Sequence, residues 1–145
     1  MKRISYLSAR ILHRCKKDKT RLFPGKYLYA TSSNEYGFKR GTLVKVSQLL
    51  KTTNWRGDQA GFVEAPYIEE VRDAIKTKLQ IEIFPVPNIS EGRLKYRVGF
   101  IDLVNLISDI SDEEYYDYED ALEHGCVKMI REYKGINLGE DSFRE

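Results

Sequence analysis

Two histidines and two cysteines are the chain's whole stock of imidazole and thiol, and they fall in matching pairs, His13-Arg14-Cys15 and His124-Gly125-Cys126. Two nitrogens and two sulfurs make the ligand set of a structural zinc centre. The spacing works against that chemistry. Both pairs sit on stretches with helical apolar periodicity, and residues two apart on a helix diverge by about 200° around its axis. With Cys15 and Cys126 turned to the core, His13 and His124 turn away from it, whereas helical metal motifs use i, i+4 pairs on one face. Buried thiols beside exposed imidazoles are the expected arrangement, with no metal and no cofactor. Two distant core cysteines are also expected to stay reduced.

Nucleophilic catalysis finds no firmer footing. A Ser or Cys nucleophile requires a base within hydrogen-bond reach and a group that orients that base. His13 and His124 lie in charged surroundings without a nucleophile signature, and no Gly-x-Ser-x-Gly elbow occurs. Gly37-Phe38-Lys39-Arg40-Gly41 has two glycines and two cations, but neither the spacing nor the Lys-Ser/Thr pair of a phosphate-cradling loop. A protein without catalytic residues is expected.

The charged residues say more. Net charge is only +2, yet residues 1–60 carry 14 Lys/Arg against 3 Asp/Glu, a balance of +11. Residues 61–145 carry 10 against 19, a balance of −9. Lys2, Arg3, Arg10, Arg14, Lys16, Lys17, Lys19, Arg21 and Lys26 face only Asp18, and Lys39 and Arg40 follow. Such density can neutralise phosphates, with Tyr27, Tyr29, Tyr36 and Phe38 near enough to stack on bases. No helix-turn-helix pair or RNA-recognition signature accompanies it. The acidic run Asp109, Asp112, Glu113, Glu114, Asp117, Glu119, Asp120 and Glu123 lacks the spacing and central glycine of a calcium loop. It reads as a solvated loop feeding negative charge to a helix N-terminus. Asp109, Asp112, Glu113 and Glu114 are then the candidate partner surface for the basic half, within one chain or across a dimer.

These groups must be positioned by a small fold. At 145 residues, 41% apolar and 32% charged, the chain suits one ordinary domain rather than a disordered tail or a membrane protein. Its N-terminus lacks the apolar run of a secretory signal, and no stretch reaches the length of about 20 residues that a bilayer span needs. A cytoplasmic protein with no membrane contact is expected. Ile4, Leu7, Ile11, Leu12 and Cys15 form a helical stripe. Residues 26–30 and 42–46 read as strands, the first with Tyr27 and Tyr29 on one face, and Leu49 and Leu50 extend the second or begin a helical turn. Residues 52–61 are irregular and make a weak hinge. Pro66 suits the first position of a helix whose stripe is Ile68, Val71, Ile75 and Leu79. Residues 81–85 and 94–100 alternate as two strands joined by a loop ending in Gly92, with residues 101–107 continuing or bending the second. The last helix starts from an N-cap at Asp117, carries Leu122, Cys126, Met129, Ile130 and Tyr133 inward, and stops before Gly135. Residues 136–145 read as a frayed tail.

The order of these pieces resembles a group of small uncharacterised proteins common in bacteriophages and mobile elements of gut bacteria. The matching pieces are the N-terminal helix over residues 4–12, the Tyr-rich strand 26–30, the Ala-Pro helix over residues 65–79, the hairpin over residues 81–100, and Tyr118-Glu119-Asp120-Ala121-Leu122. Many members place a Trp and an Arg-Glu pair in the middle helix, where this chain has Ala74, Ile75 and Lys76. The group has no assigned activity, so the resemblance implies a phage or mobile-element context and no catalytic residue. The expected fold is a single α+β domain with about three helices packed on a small, mostly antiparallel sheet. The expected function is that of a non-enzymatic accessory or protein-interaction module, self-associating through its basic and acidic surfaces. The alternative is nucleic-acid binding through the basic segment, with Arg10, Arg14, Lys16, Lys17, Lys19, Arg21, Lys39 and Arg40 in contact.

Overall fold

The structure, a computed structural model, describes residues 2–15, 23, 25–49 and 61–133. It is α+β, with helices and two small antiparallel sheets of three strands each. The strands expected to share one sheet therefore fall into two. The described residues form two compact units, one over residues 3–67 and the other over Lys2 and residues 68–133. Lys16, Lys17, Lys19, Arg21, residues 52–60 and the tail 136–145 lie outside the described residues.

In the first unit, β1 (Tyr27–Ala30) runs between β2 (Leu43–Lys45) and β3 (Phe62–Glu64), antiparallel to both. Both edges of β1 are used, so this sheet accepts no further strand at its centre. Alternation sends Leu28, Ala30, Val44 and Phe62 into a core cluster with Leu49, and leaves Tyr27 and Tyr29 on the other face. A 3-10 turn over Val46–Gln48 delivers Leu49 to that cluster. β3 was not among the expected strands. Its three residues are all buried, which leaves no period for the sequence to display.

α1 (Tyr6–Cys15) buries Leu12 and Cys15 of the expected stripe, together with Ser8 and Ala9 in place of Leu7 and Ile11. The helix begins after Ile4, whose amide donates to Pro66 O at 3.0 Å and whose carbonyl accepts from Tyr29 Oη at 2.6 Å. Ile4 is buried by strand-like pairing, so it does not set the helical phase. The phase that does so turns Leu7 outward, 73% exposed, and Ile11 to the margin.

The loop between β1 and β2 is wound around Asn34. Its side-chain amide donates to Thr31 O and Phe38 O, and its Oδ1 accepts from the amides of Tyr36 and Phe38. Gly61 closes on this loop with φ +77, and its carbonyl accepts from Thr31 N at 2.9 Å.

The second unit holds α2 (Ile68–Leu79), β4 (Ile81–Ser90), β5 (Arg93–Asp102), β6 (Ile107–Ile110) and α3 (Tyr118–Lys128). Pro66 stands two residues before α2 instead of in its first position, and Ile68, Val71 and Ile75 are buried as expected. β4 and β5 pair over ten residues, longer than the sequence suggested. Pro85 and Pro87 do not end β4. Val98 and Tyr96, their partners, turn their backbone groups to the other side, toward Ser111 and Tyr115, so the prolines' missing amides face the open edge. Glu91 and Gly92, both at positive φ, make the two-residue turn.

Beyond β5 the chain turns sharply and returns as β6, an edge strand paired only with β5. Asp102 makes this turn. Fully buried, it accepts from the amides of Val104 and Asn105 at 3.0 Å each and from Asn105 Nδ2 at 2.9 Å. An Asp102→Asn variant would set an amide donor against the Asn105 donor. A loss of about 1–3 kcal/mol is expected in urea unfolding, and an unchanged midpoint would contradict this role.

Asp117 caps α3 as expected, with Oδ1 accepting from Glu119 N. Leu122, Cys126 and Met129 are buried, and the chain continues as a π turn over Met129–Tyr133. α3 lies on β4 and β5 at Gly125, where Val98 and Ile83 approach the backbone directly.

Candidate functional site

A groove of about 250 Å³ lies in the second unit, between α3 and the strands β5 and β6. Its apolar wall is Val98, Phe100 and Met129, and its polar rim is Asp109, Glu113, Tyr115, His124 and Lys128. Backbone pairing builds the rim. Tyr115 exchanges hydrogen bonds of 2.7 and 2.8 Å with Tyr96, and Ser111 N donates to Val98 O, so residues 112–114 bulge out between two fixed points. The bulge parts the acidic run. Asp109 and Glu113 stand at the groove. Glu114 goes to the opposite face of the sheet, where it accepts from Asn88 at 2.7 Å and lies near Lys95 and Arg97. The Asn88 donor, supported by Ser90 and the two cations, holds the Glu114 carboxyl below its usual range. Asp112 is exposed on the bulge itself.

His124 stacks on Tyr115 with ring centroids 4.8 Å apart and planes 23° from parallel. Its Nδ1 lies 2.7 Å from Asp120 O. A carbonyl only accepts, so Nδ1 carries the hydrogen and Nε2 remains for another partner. Tyr115 Oη donates to Glu113 Oε2 at 3.1 Å. Burial, then this carboxylate, pushes the phenol up to about 12. Below pH about 10 the phenol is protonated whether the chain is folded or not. Between about 10 and 12 the unfolded chain loses that proton first, so the contribution of Tyr115 to stability fades as pH rises through this window. An absorbance titration should show one phenol ionising late and losing that delay in Tyr115→Phe. A curve identical in the variant would contradict the assignment.

The other sequence candidates are dispersed. His13 and Cys15 belong to α1, and His124 and Cys126 to α3. Both thiols are buried, and burial pushes that of Cys126 up to about 12, which keeps it protonated and unreactive. Among the described residues no group of three or more His, Cys, Asp and Glu side chains is arranged to hold a metal ion. No helix among them is long and apolar enough to cross a membrane.

Within the basic half, several cations are used locally. The Arg3 guanidinium lies between the rings of Tyr27 and Tyr67, at 4.9 and 4.3 Å, and donates to Ala65 O. Arg10 donates to Tyr6 Oη at 2.9 Å. Tyr29 meets Tyr6 edge-on, and Tyr36 and Phe38 lie against Phe62, with Tyr36 still half-exposed. Lys39 and Arg40 stand exposed on the turn before β2, with Gly41 seated against the Tyr6 ring. Lys2 bridges Asp120 at 2.6 Å, and its backbone amide donates to Glu119. The Asp120 hydrogen bond holds the Lys2 ammonium above its ordinary value.

Tyr115, Lys128 and the apolar wall escaped sequence reading, because a bulge in an edge segment has no periodic signature. No protein-family model, curated protein or solved structure matches the chain.

Proposed function

We propose that this chain is a non-enzymatic protein-interaction module that associates with itself through an acidic and apolar surface on its second unit. One observation carries the reading. Leu103, Val104, Leu106, Ile107 and Ile110 follow one another along the turn and β6, all between 45 and 84% exposed. Side chains of this size rarely gather on a surface that contacts nothing. The turn also spends backbone strain on them, since Leu106 has φ +57 and is the most exposed of the five. Asp109, between Ser108 and Ile110 on β6, and Glu113, three residues beyond Ile110, add negative charge to the same segment, opposite in sign to residues 1–60. Charge of opposite sign steers encounter, and apolar contact holds it.

The accessory role in a phage or mobile-element setting, and a cytoplasmic location, belong to the same proposal. Light scattering should find a dimer at low salt. Leu106→Asp together with Glu113→Lys should weaken it by about a hundredfold, the usual weight of two central contacts. A chain that stays monomeric at low salt and high concentration overturns the reading. In its place, DNA or RNA affinity that falls steeply with salt and disappears on reversing Arg10, Arg14 and Arg40 would favour the nucleic-acid alternative.

A further inference from the structure

The geometry points to the groove beside α3 as a socket for one arginine, Arg40 of a second copy of this chain; the choice of a second copy rests on the self-association proposed above. The groove joins three features that suit a guanidinium. Asp109 and Glu113 supply two carboxylates on one rim, and the Tyr115 hydroxyl occupies only Oε2 of Glu113. The stacked pair of His124 and Tyr115 supplies flat aromatic surface, on which a planar guanidinium rests better than a compact ammonium. Val98, Phe100 and Met129 supply an apolar wall for the three methylenes of the side chain.

Arg40 matches the socket in sign and in shape. It is exposed on the turn over residues 39–42 that ends the loop between β1 and β2, closed by Thr42 N on Lys39 O and by Gly41 N on Ala30 O. A side chain carried on such a turn can enter a groove without unfolding anything behind it. The turn is also pre-formed, so little ordering entropy opposes docking.

Two measurements on the full chain test this. In the first, N-acetyl-arginine N-methylamide and its neutral citrulline counterpart are titrated while the ring resonances of His124 and Tyr115 are followed by NMR. Saturable shifts with the arginine probe, absent with citrulline and weakened about tenfold in Asp109→Asn, support the socket. Equal shifts with both probes, or none, overturn it whatever the oligomeric state. In the second, dimer affinity is compared in Glu113→Arg, Arg40→Glu and the double exchange. Loss of affinity in each single variant with recovery in the double supports Arg40 as the occupant. No recovery overturns Arg40, and a monomeric wild type overturns the second copy and the self-association reading while leaving the first measurement to judge the groove chemistry.

Discussion

Replacing Gly61 by alanine is expected to cost more than about 3 kcal/mol, the largest effect of any single methyl group in the described fold. A Cβ there would lie 2.4 Å from Asn34 N and 2.5 Å from Asn34 Cα. These are backbone atoms, so no rotamer change relieves the contact. Asn34 is also fixed by four hydrogen bonds within its own loop, and that loop carries Tyr36 and Phe38 onto Phe62. The positive φ adds about 1–2 kcal/mol for any L side chain. The reduced freedom of the unfolded chain returns only about 0.4–1 kcal/mol. Gly92 is the matched control. It has φ +74, but a Cβ there meets nothing within 4 Å, so Gly92→Ala carries the conformational cost alone, about 1 kcal/mol. Urea unfolding of both variants isolates the contact, and equal midpoints would show that Gly61 is not pressed against the loop.

The second large effect is expected at Gly125. A Cβ there would meet Val98 Cγ1 at 2.4 Å and Ile83 Cγ2 at 3.1 Å, both on stiff branched side chains beneath the helix. Gly125→Ala must either lift α3 from the sheet or displace Val98, at a cost of about 2–3 kcal/mol, which exceeds the gain in helix propensity of about 1 kcal/mol. Val98 is also a wall of the groove, so the variant should disturb the His124 and Tyr115 ring resonances along with stability. Val98→Ala leaves a cavity by itself, but beside Gly125→Ala it makes the missing room. The double variant should therefore be more stable than the sum of the two losses by about 1 kcal/mol or more. Strict additivity would mean that the helix does not sit on Val98.

How much of this was legible in the sequence depends on whether a pattern had room to repeat. α2, with Ile68, Val71 and Ile75, and α3, with its Asp117 cap, were read correctly because each spans three turns with one wet face. The α+β class and the hairpin over residues 81–100 followed from alternation, while the loop expected before Gly92 proved to be strand up to the two-residue turn Glu91-Gly92. β3 was invisible because three buried residues have no period. The outward face of α1 was misread for a different reason. Ile4 is apolar and correctly spaced, but it is buried by its bond to Pro66, a partner far along the chain. The split into two sheets was equally non-local, since β1 takes as its second partner β3, a strand more than thirty residues away that shows no pattern of its own. For the groove, His124, Asp109 and Glu113 were singled out from the sequence. Their juxtaposition with Tyr115 required the bulge at residues 112–114.

Asp109 also does something for the strand on which it lies. Its Oδ1 accepts from the amide of Ile110 at 2.8 Å, on the outward side of β6. An open edge flanked by isoleucines is a template on which further copies add strand by strand, toward a fibril. The carboxylate occupies the donor that a growing fibril would use and places a negative charge beside it. Asp109 thereby opposes an endless assembly held together by backbone hydrogen bonds.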